Sequence, residues 1–464
     1  MSSPRLLAAA GAAASAGVVV GATRAGWTGV NPPAGPLGLW RPAATGRGWF
    51  AVLAAVSVCA LAVVFLRLYR QAAAGGIGTG GVARVALAWC VPVLPAPPLL
   101  SLDAYSYAAQ GWLLLSRLDP YTVGPERLGA GPILDAVSPV WRATPAPYGP
   151  LALAGLRQIA ALGEGNLTAT VYLLRLIAVL AVVGSAVLAV RLADPPRKVV
   201  TLVLVAANPL VVLHLVGGVH LDALLAGLAV LAVLATHRRW WALAAITAAT
   251  AFAIKLPGLV LVAYVLVSRA RTDGPISRGT LGTAAITAAT AAGCATLVPN
   301  GWGWIGALQV PGRIRHPYDP ATALGWLLHQ VTWVTFAEAV SVARVLAAIV
   351  GAVVIAVLVW RAAGAAVGCR TAAALIGGAL VVVALAAPTL HAWYAVWGLA
   401  LVAAGAAART RWWMAGLSVA LCFTALPDPR PNHPLGVALR LVLLVACFLP
   451  LMPASRLPVQ GRAT

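Results

Sequence analysis

The sequence predicts an all-α, multi-pass membrane protein, and three observations carry that expectation. Of its 464 residues, 61% are apolar and only 9% are charged, against about 25% charged in a typical soluble domain. Run after run reaches the roughly 17–25 apolar residues that a membrane-spanning helix needs. Most basic residues fall in short clusters between those runs. A bilayer offers backbone groups no water to bond, so helices are the elements to expect. No stretch has the composition of a separate soluble domain, and residues 1–464 are expected to form one integral-membrane domain.

The apolar runs cover 6–23, 50–66, 82–100, 170–191, 198–213, 221–236, 240–255, 256–268, 279–297, 338–360, 372–388, 392–408, 411–426 and 434–453. These give about 12–14 spans. Residues 256–268 are short for a span and Pro257 interrupts them. The first run also suits a cleaved signal peptide, but in a multi-pass chain a retained first span is the expectation. With the N-terminus in the cytoplasm, "RLYRQ", "RLADPPRK", "HRRW", "SRARTDGPISR", "WRAAGAAVGCR", "RTRWW" and the tail "RLPVQGRAT" all fall inside. The positive-inside rule asks for this arrangement. It also accounts for the net charge of +21. A nucleic-acid partner is excluded, because the basic residues are dispersed among the loops and do not form one patch. Six cysteines are scattered through apolar segments with no C-x-x-C pair, as small packing residues would be.

The acidic residues fall the other way. Nine of the eleven lie outside or at the outer surface, and only Asp194 and Asp273 lie inside. Acids barely affect insertion, so their gathering on one face points to chemistry there. Two outer loops are long, 101–169 and 298–337, and long loops in a compact protein usually carry function. In the first, "AYSYAAQGWLLLSRL" has a helical pattern ending at Asp119-Pro120. Its Trp112, Leu113 and Leu115 are placed at the membrane surface, as in an interfacial helix. "TPAPYGPLALAGLRQIAAL" reads as a second helix too short to span.

Asp103, where the third run ends, is the first candidate for chemistry. An ionisable residue at the membrane boundary is a functional candidate by default, and Asp is equally a preferred helix cap; both readings stand. "VGGVHLDALLAG" offers His220 and Asp222, either a metal-binding or phosphate-anchoring pair or a polar contact between helices. Lys255 is one of two lysines and the one deep in an apolar run. It faces a cavity or partner, or else snorkels to the surface. In "GRIRHPYDPATALGW", Arg313, Arg315 and His316 suit a phosphate or a lipid headgroup. "PTLHAWYAVW" supplies His391, Trp393, Tyr394 and Trp397, an interfacial aromatic belt or a platform for a sugar or prenyl chain. No Walker loop, dinucleotide fingerprint or nucleophile elbow occurs in a plausible context, which disfavours a nucleotide-driven pump.

Three elements of the first outer loop, D-x-Y-S-Y-x-x-Q-G from Asp103, D-P-Y-x-x-G-P-x-x-L from Asp119 and W-R-x-T-P-A-P-Y-G-P-L from Trp141, span about fifty residues. They resemble the actinobacterial polyprenol-phosphate-mannose-dependent α-(1→6)-mannopyranosyltransferases. "GGVHLDAL" is similar to that family's G-G-x-H-N-D-A-L, with Leu221 where Asn is usual, and "KLPG" from Lys255 also matches. The resemblance implies a C-type glycosyltransferase bundle in the plasma membrane with an extracytoplasmic site and interfacial helices. It implies a polyprenyl-phosphate-mannose donor and a lipid-anchored or oligomannoside acceptor, among membrane lipids, in lipomannan core synthesis. It casts Asp103 as the catalytic base. Tyr105, Tyr107, Gln110, Tyr148, His220, Asp222, Lys255, Arg313, Arg315, His316, His391 and Tyr394 become the candidate substrate-binding residues. Cationic side chains can hold a monophosphate leaving group, so neither a cofactor nor a metal is expected. The alternatives are another prenyl-phosphate-linked sugar, or a transporter or flippase of lipid-linked sugars. A transporter would favour charges midway through several spans and an inverted repeat.

Overall fold

The computed structural model describes residues 3–28, 38–313, 318–424 and 426, and among these it contains helices and no strands. Local sequence sets the helix starts. Ser3 caps α1 (Pro4–Ala25) by accepting from the Leu6 N–H at 3.1 Å, with Pro4 in the first turn. Next come α2 (Arg47–Ala73), α3 (Thr79–Cys90), α4 (Asp103–Leu115) and the short α5 (Pro132–Ala136) and α6 (Pro139–Arg142). Then follow α7 (Pro150–Leu162) and α8 (Leu167–Leu192), the latter capped by the Asn166 side chain on the Ala169 N–H. The chain continues through α9 (Lys198–Ala206), a π-helical turn over Val211–Gly217, α10 (Asp222–His237), α11 (Trp241–Ile254), α12 (Leu259–Asp273) and α13 (Arg278–Ala295). After the short α14 (Trp304–Ala307) and α15 (Pro320–Val331), a Thr335–Glu338 capping box opens α16 (Phe336–Ala362). It is followed by α17 (Cys369–Ala386), α18 (Val396–Gly405) and α19 (Ala408–Thr424). One buried apolar cluster runs from Leu7 to Leu426, so helices from both halves of the chain share a core.

Five helices are long and apolar enough to cross a membrane alone: α1, α2, α8, α16 and α17. A sixth span arises if α9 with its 3-10 lead-in and the Val211–Gly217 turn, bent by 52°, count as one. The other apolar runs are broken by backbone chemistry. Residues 82–100 stop being helical at Cys90, ahead of four prolines between 92 and 98. The run 198–213 bends at Asn208-Pro209, and Pro257 separates α11 from α12. Residues 392–408 begin as a 3-10 turn, Ala392–Ala395, before α18. The expected span at 434–453 lies outside the described residues.

The Arg-rich loops meet at one end. Arg70 lies over the Trp412 ring, and Asp194 pairs with Arg197 and Arg370. Arg269 pairs with Asp273, and Arg271 donates to the Trp360 carbonyl. At the opposite end α4 is covered by protein and does not lie bare on a surface. Every residue from Ala104 to Leu114 is buried, Trp112 and Leu113 included, and α7 covers the helix. Gly111 permits that approach, because a Cβ there would collide with the Leu156 carbonyl.

Candidate active site

The breaks in the helices build the site. Within α8 the buried Arg175 donates to the carbonyls of Leu94 (2.7 Å), Val216 (3.1 Å) and Gly217 (3.3 Å). One guanidinium thereby satisfies acceptors released by two interrupted helices, as a chain in lipid requires. The Leu99 N–H also bonds the Gly217 carbonyl at 3.0 Å. This clamp joins the segment leading to Asp103 with the segment leading to His220. Leu100 (φ 60°) and Val219 (φ 63°) lie in the left-handed region just before those two residues. For a β-branched valine that is strain, of the kind that collects at functional sites.

Asp103 opens α4 but does not cap it. No backbone N–H of the helix bonds its carboxylate, and the residue before the helix is Leu102. Oδ1 accepts instead from the Trp141 indole N–H at 3.1 Å, and Oδ2 lies 3.9 Å from His220 Nδ1. The structure therefore decides against the cap. Burial pushes the Asp103 pKa up to about 6, opposed by the Trp141 hydrogen bond and the Lys255 charge. Behind it, the fully buried His220 has Nδ1 at 3.3 Å from the Tyr107 hydroxyl. Its ring stacks on Trp393 at 3.6 Å, and His391 stacks on Trp393 at 4.8 Å, so the indole lies between two imidazoles.

His220 and Asp222 do not act as a pair. Asp222 Oδ1 accepts from Lys255 Nζ at 2.7 Å and from the Trp397 indole N–H at 2.6 Å. Lys255 does not snorkel. It occupies the extended residue between α11 and the Leu256–Gly258 turn, with Nζ 4.5 Å from the Tyr394 ring and 5.0 Å from that of Trp397. Trp393 and Trp397 are buried and form no lipid-facing belt. Tyr148 closes the group. Its ring stands edge-on to Tyr107 at 5.4 Å, and burial, reinforced by the Asp103 charge, raises its hydroxyl pKa well above the usual value.

Asp103, Gln110, Tyr148, Lys255, His391 and Tyr394 together line one cavity of about 460 Å³. Tyr107, Asp222, Tyr148 and Lys255 line a second, of about 350 Å³. Tyr105 joins neither, since its hydroxyl donates to the Thr28 carbonyl at 3.2 Å. The side chain of Arg313, and Arg315 and His316 entirely, lie outside the described residues. Asp319 is structural: buried, it accepts the Leu390 N–H at 2.7 Å and so fixes the segment that carries His391. Among the described residues no three His, Cys, Asp or Glu side chains are grouped as a metal would need. Sequence reasoning missed Trp141 and Arg175. Trp141 heads one of the conspicuous motifs, and Arg175 is an ionisable residue inside an apolar run, the same signal that singled out Lys255.

In this arrangement a carboxylate with a raised pKa and a lysine share one largely apolar chamber. A base and a cation so placed suit proton removal from a hydroxyl beside a departing anion. Comparison with known proteins bears on which reaction this is. Residues 8–271 match the family model described as alpha-(1→6)-mannopyranosyltransferase, N-terminal domain, and residues 321–452 match the MptB C-terminal domain. The chain is 30% identical over 415 residues to alpha-(1→6)-mannopyranosyltransferase A of Mycobacterium tuberculosis, covering 86% of this chain and 79% of that one. Against a second alpha-(1→6)-mannopyranosyltransferase of M. tuberculosis it is 44% identical over 144 residues, 30% of this chain and 24% of the other. Against alpha-(1→6)-mannopyranosyltransferase A of Corynebacterium glutamicum it is 31% identical over 261 residues, 51% and 53% of the two chains. No solved structure matches.

Proposed function

We propose that this chain, which belongs to the α-(1→6)-mannopyranosyltransferase family, takes its mannose from a polyprenyl-phosphate-mannose donor. The chain is a multi-pass membrane glycosyltransferase. In our reading the acceptor is a mannan or lipomannan, the linkage is α-(1→6), and the site faces outward from the plasma membrane. The observation that supports this best is the joint placement of Asp103 and Lys255 on one cavity, at the end of the bundle away from the Arg-rich loops. A lipid-linked monophosphate is a ligand for such a site, since it brings one charged headgroup to a membrane-embedded cation.

The geometry supports the following chemistry. Trp141 holds one carboxylate oxygen of Asp103 and leaves the other for the acceptor hydroxyl. As that hydroxyl oxygen bonds to the anomeric carbon, its proton passes to Asp103. The carbon–oxygen bond to phosphate breaks, and the phosphate leaves with the bonding pair towards Lys255. Direct displacement on a β-linked donor yields the α product by inversion. Tyr148, protonated, is available to donate a hydrogen bond at the junction of the two cavities.

Membranes carrying the protein should transfer label from polyprenyl-phosphate-mannose to a short α-(1→6)-mannoside and none from a nucleotide-linked mannose. The opposite donor preference would end the proposal. In intact cells, Ala130→Cys should react with an impermeant thiol reagent and Ala366→Cys should not; the reverse pattern would move the site to the cytoplasm.

A base must be ionised to work, so kcat should rise with pH through about 6 and level off above it. The Trp141 N–H stabilises the carboxylate, so Trp141→Phe should move this limb to higher pH. A pH–kcat profile in both proteins checks it, and an unmoved limb would separate Trp141 from the base.

A further inference from the structure

The two cavities share a wall formed by Tyr148 and Lys255, and they differ in kind. The first carries Asp103, Ser106, Gln110, Thr144 and His391, a set of polar side chains that can satisfy sugar hydroxyls. The second lies between α7, α8, α10 and α11. Four polar residues line it: Tyr107, Tyr148, Asp222 and Lys255. These four are joined by a chain of contacts and so form one polar patch in its wall. Lys255 bonds Asp222, its Nζ lies 5.9 Å from the Tyr148 ring, and that ring meets Tyr107. The other ten lining residues are Leu, Ile, Ala or Gly. Along that length a buried sugar would leave its hydroxyls unpaired, whereas a hydrocarbon loses nothing.

We infer that this second cavity holds the hydrocarbon chain of the donor, with its phosphate at Lys255 and its mannose passing Tyr148 into the first cavity. The inference rests on the lipid-linked donor argued above. It follows from charge and polarity together. The apolar cavity carries a single cation, Lys255, as a hydrocarbon joined to a phosphate requires. The base must meet the acceptor, and Asp103 lines only the first cavity. The first cavity is itself largely apolar away from its polar side chains, with Leu256, Leu308, Ala352, Ile355, Val383 and Ala386 in its wall. A donor chain placed there would leave the acceptor glycan to the second cavity, whose lining cannot hold it.

Gly155 gives the test. It is an exposed position of α7 on the wall of the second cavity, and a Cβ built there meets no atom within 4 Å. Gly155→Leu therefore starts its side chain from open space on the cavity wall and, in a helix, carries no propensity cost. Two mannosyl phosphates serve as donors, one on a decaprenyl-length chain and one on a citronellyl-length chain. Gly155→Leu should raise the KM of the long-chain donor about tenfold, the effect of losing burial of a couple of methylene groups. The short-chain donor should stay close to wild type. Ala352→Leu, in the first cavity, should not discriminate between the chains. Equal effects of Gly155→Leu on both donors, or a chain-length-selective loss in Ala352→Leu, would overturn the assignment. Wild-type protein that uses neither donor would instead remove the lipid-linked donor itself. Independently of any variant, a polyprenyl phosphate with a photoreactive chain and no sugar should crosslink to α7 or α10 of the wild type. Crosslinks confined to α16 and α17 would overturn the inference.

Discussion

Asp103→Asn should abolish most transfer, by about a hundredfold or more in kcat, which is what a positioned general base contributes. The amide keeps the size of the side chain and an oxygen to accept the Trp141 N–H, so the cavity should keep its shape. Stability should not fall. Asp103 bonds no helix N–H, so no cap is lost. Its pKa is raised to about 6, chiefly by burial, which means the folded protein disfavours the charged form. A neutral isostere is then expected to leave the thermal midpoint equal or slightly higher at pH above 6, where the wild type must hold the ionised carboxylate. As pH falls from about 6 towards the free value of 3.8 the difference should shrink, and below it the two proteins should be equally stable. The measurements are kcat in membranes and Tm across pH in detergent. A variant with near-normal turnover would strip Asp103 of the role of base. An inactive variant with a much lower Tm would make it a structural residue.

How far the sequence shows this architecture depends on what each signal reports. Apolar length marks lipid-compatible segments, and helices were found at thirteen of the fourteen expected runs, the last lying outside the described residues. It does not report continuity. Residues 82–100 and 198–213 are each predominantly apolar, yet prolines and a π-turn break them, and Arg175 satisfies carbonyls from both breaks. Those breaks carry Asp103 and His220 to the same place. For single residues, the chemical type was legible and the partner was not. Lys255 stood out as a lysine in an apolar run, but nothing local says that it meets Asp222, 33 positions away. His220 and Asp222 share one short motif, yet their side chains go to different partners, the histidine beside Tyr107 and Asp103, the aspartate to Lys255 and Trp397. An amphipathic ring suits an interface, so sequence places Trp112 at the membrane surface and leaves Trp393 as either a belt or a ligand platform; only packing against α7 and between two imidazoles shows them buried.

Lys255→Met should weaken use of the donor about ten- to a hundredfold, the loss of one charge-assisted contact to phosphate. It should leave use of the acceptor nearly unchanged. The ion pair complicates the single variant. Asp222 keeps only 2% of its side chain exposed, and removing its partner strands a buried carboxylate beside Trp397. Breaking a buried pair in this way costs about 3–5 kcal/mol, enough to lower expression whatever Lys255 does for catalysis. The double variant Lys255→Met/Asp222→Asn removes both charges and keeps a hydrogen-bond acceptor for the Trp397 N–H. It should restore protein level and Tm without restoring donor affinity. Lys255→Arg, which keeps the charge on a longer side chain, should recover part of both. Apparent KM for polyprenyl-phosphate-mannose at saturating acceptor, and the converse, separate the outcomes. A double variant with wild-type donor KM and kcat would reduce Lys255 to the partner of a structural carboxylate, and the phosphate would need another cation.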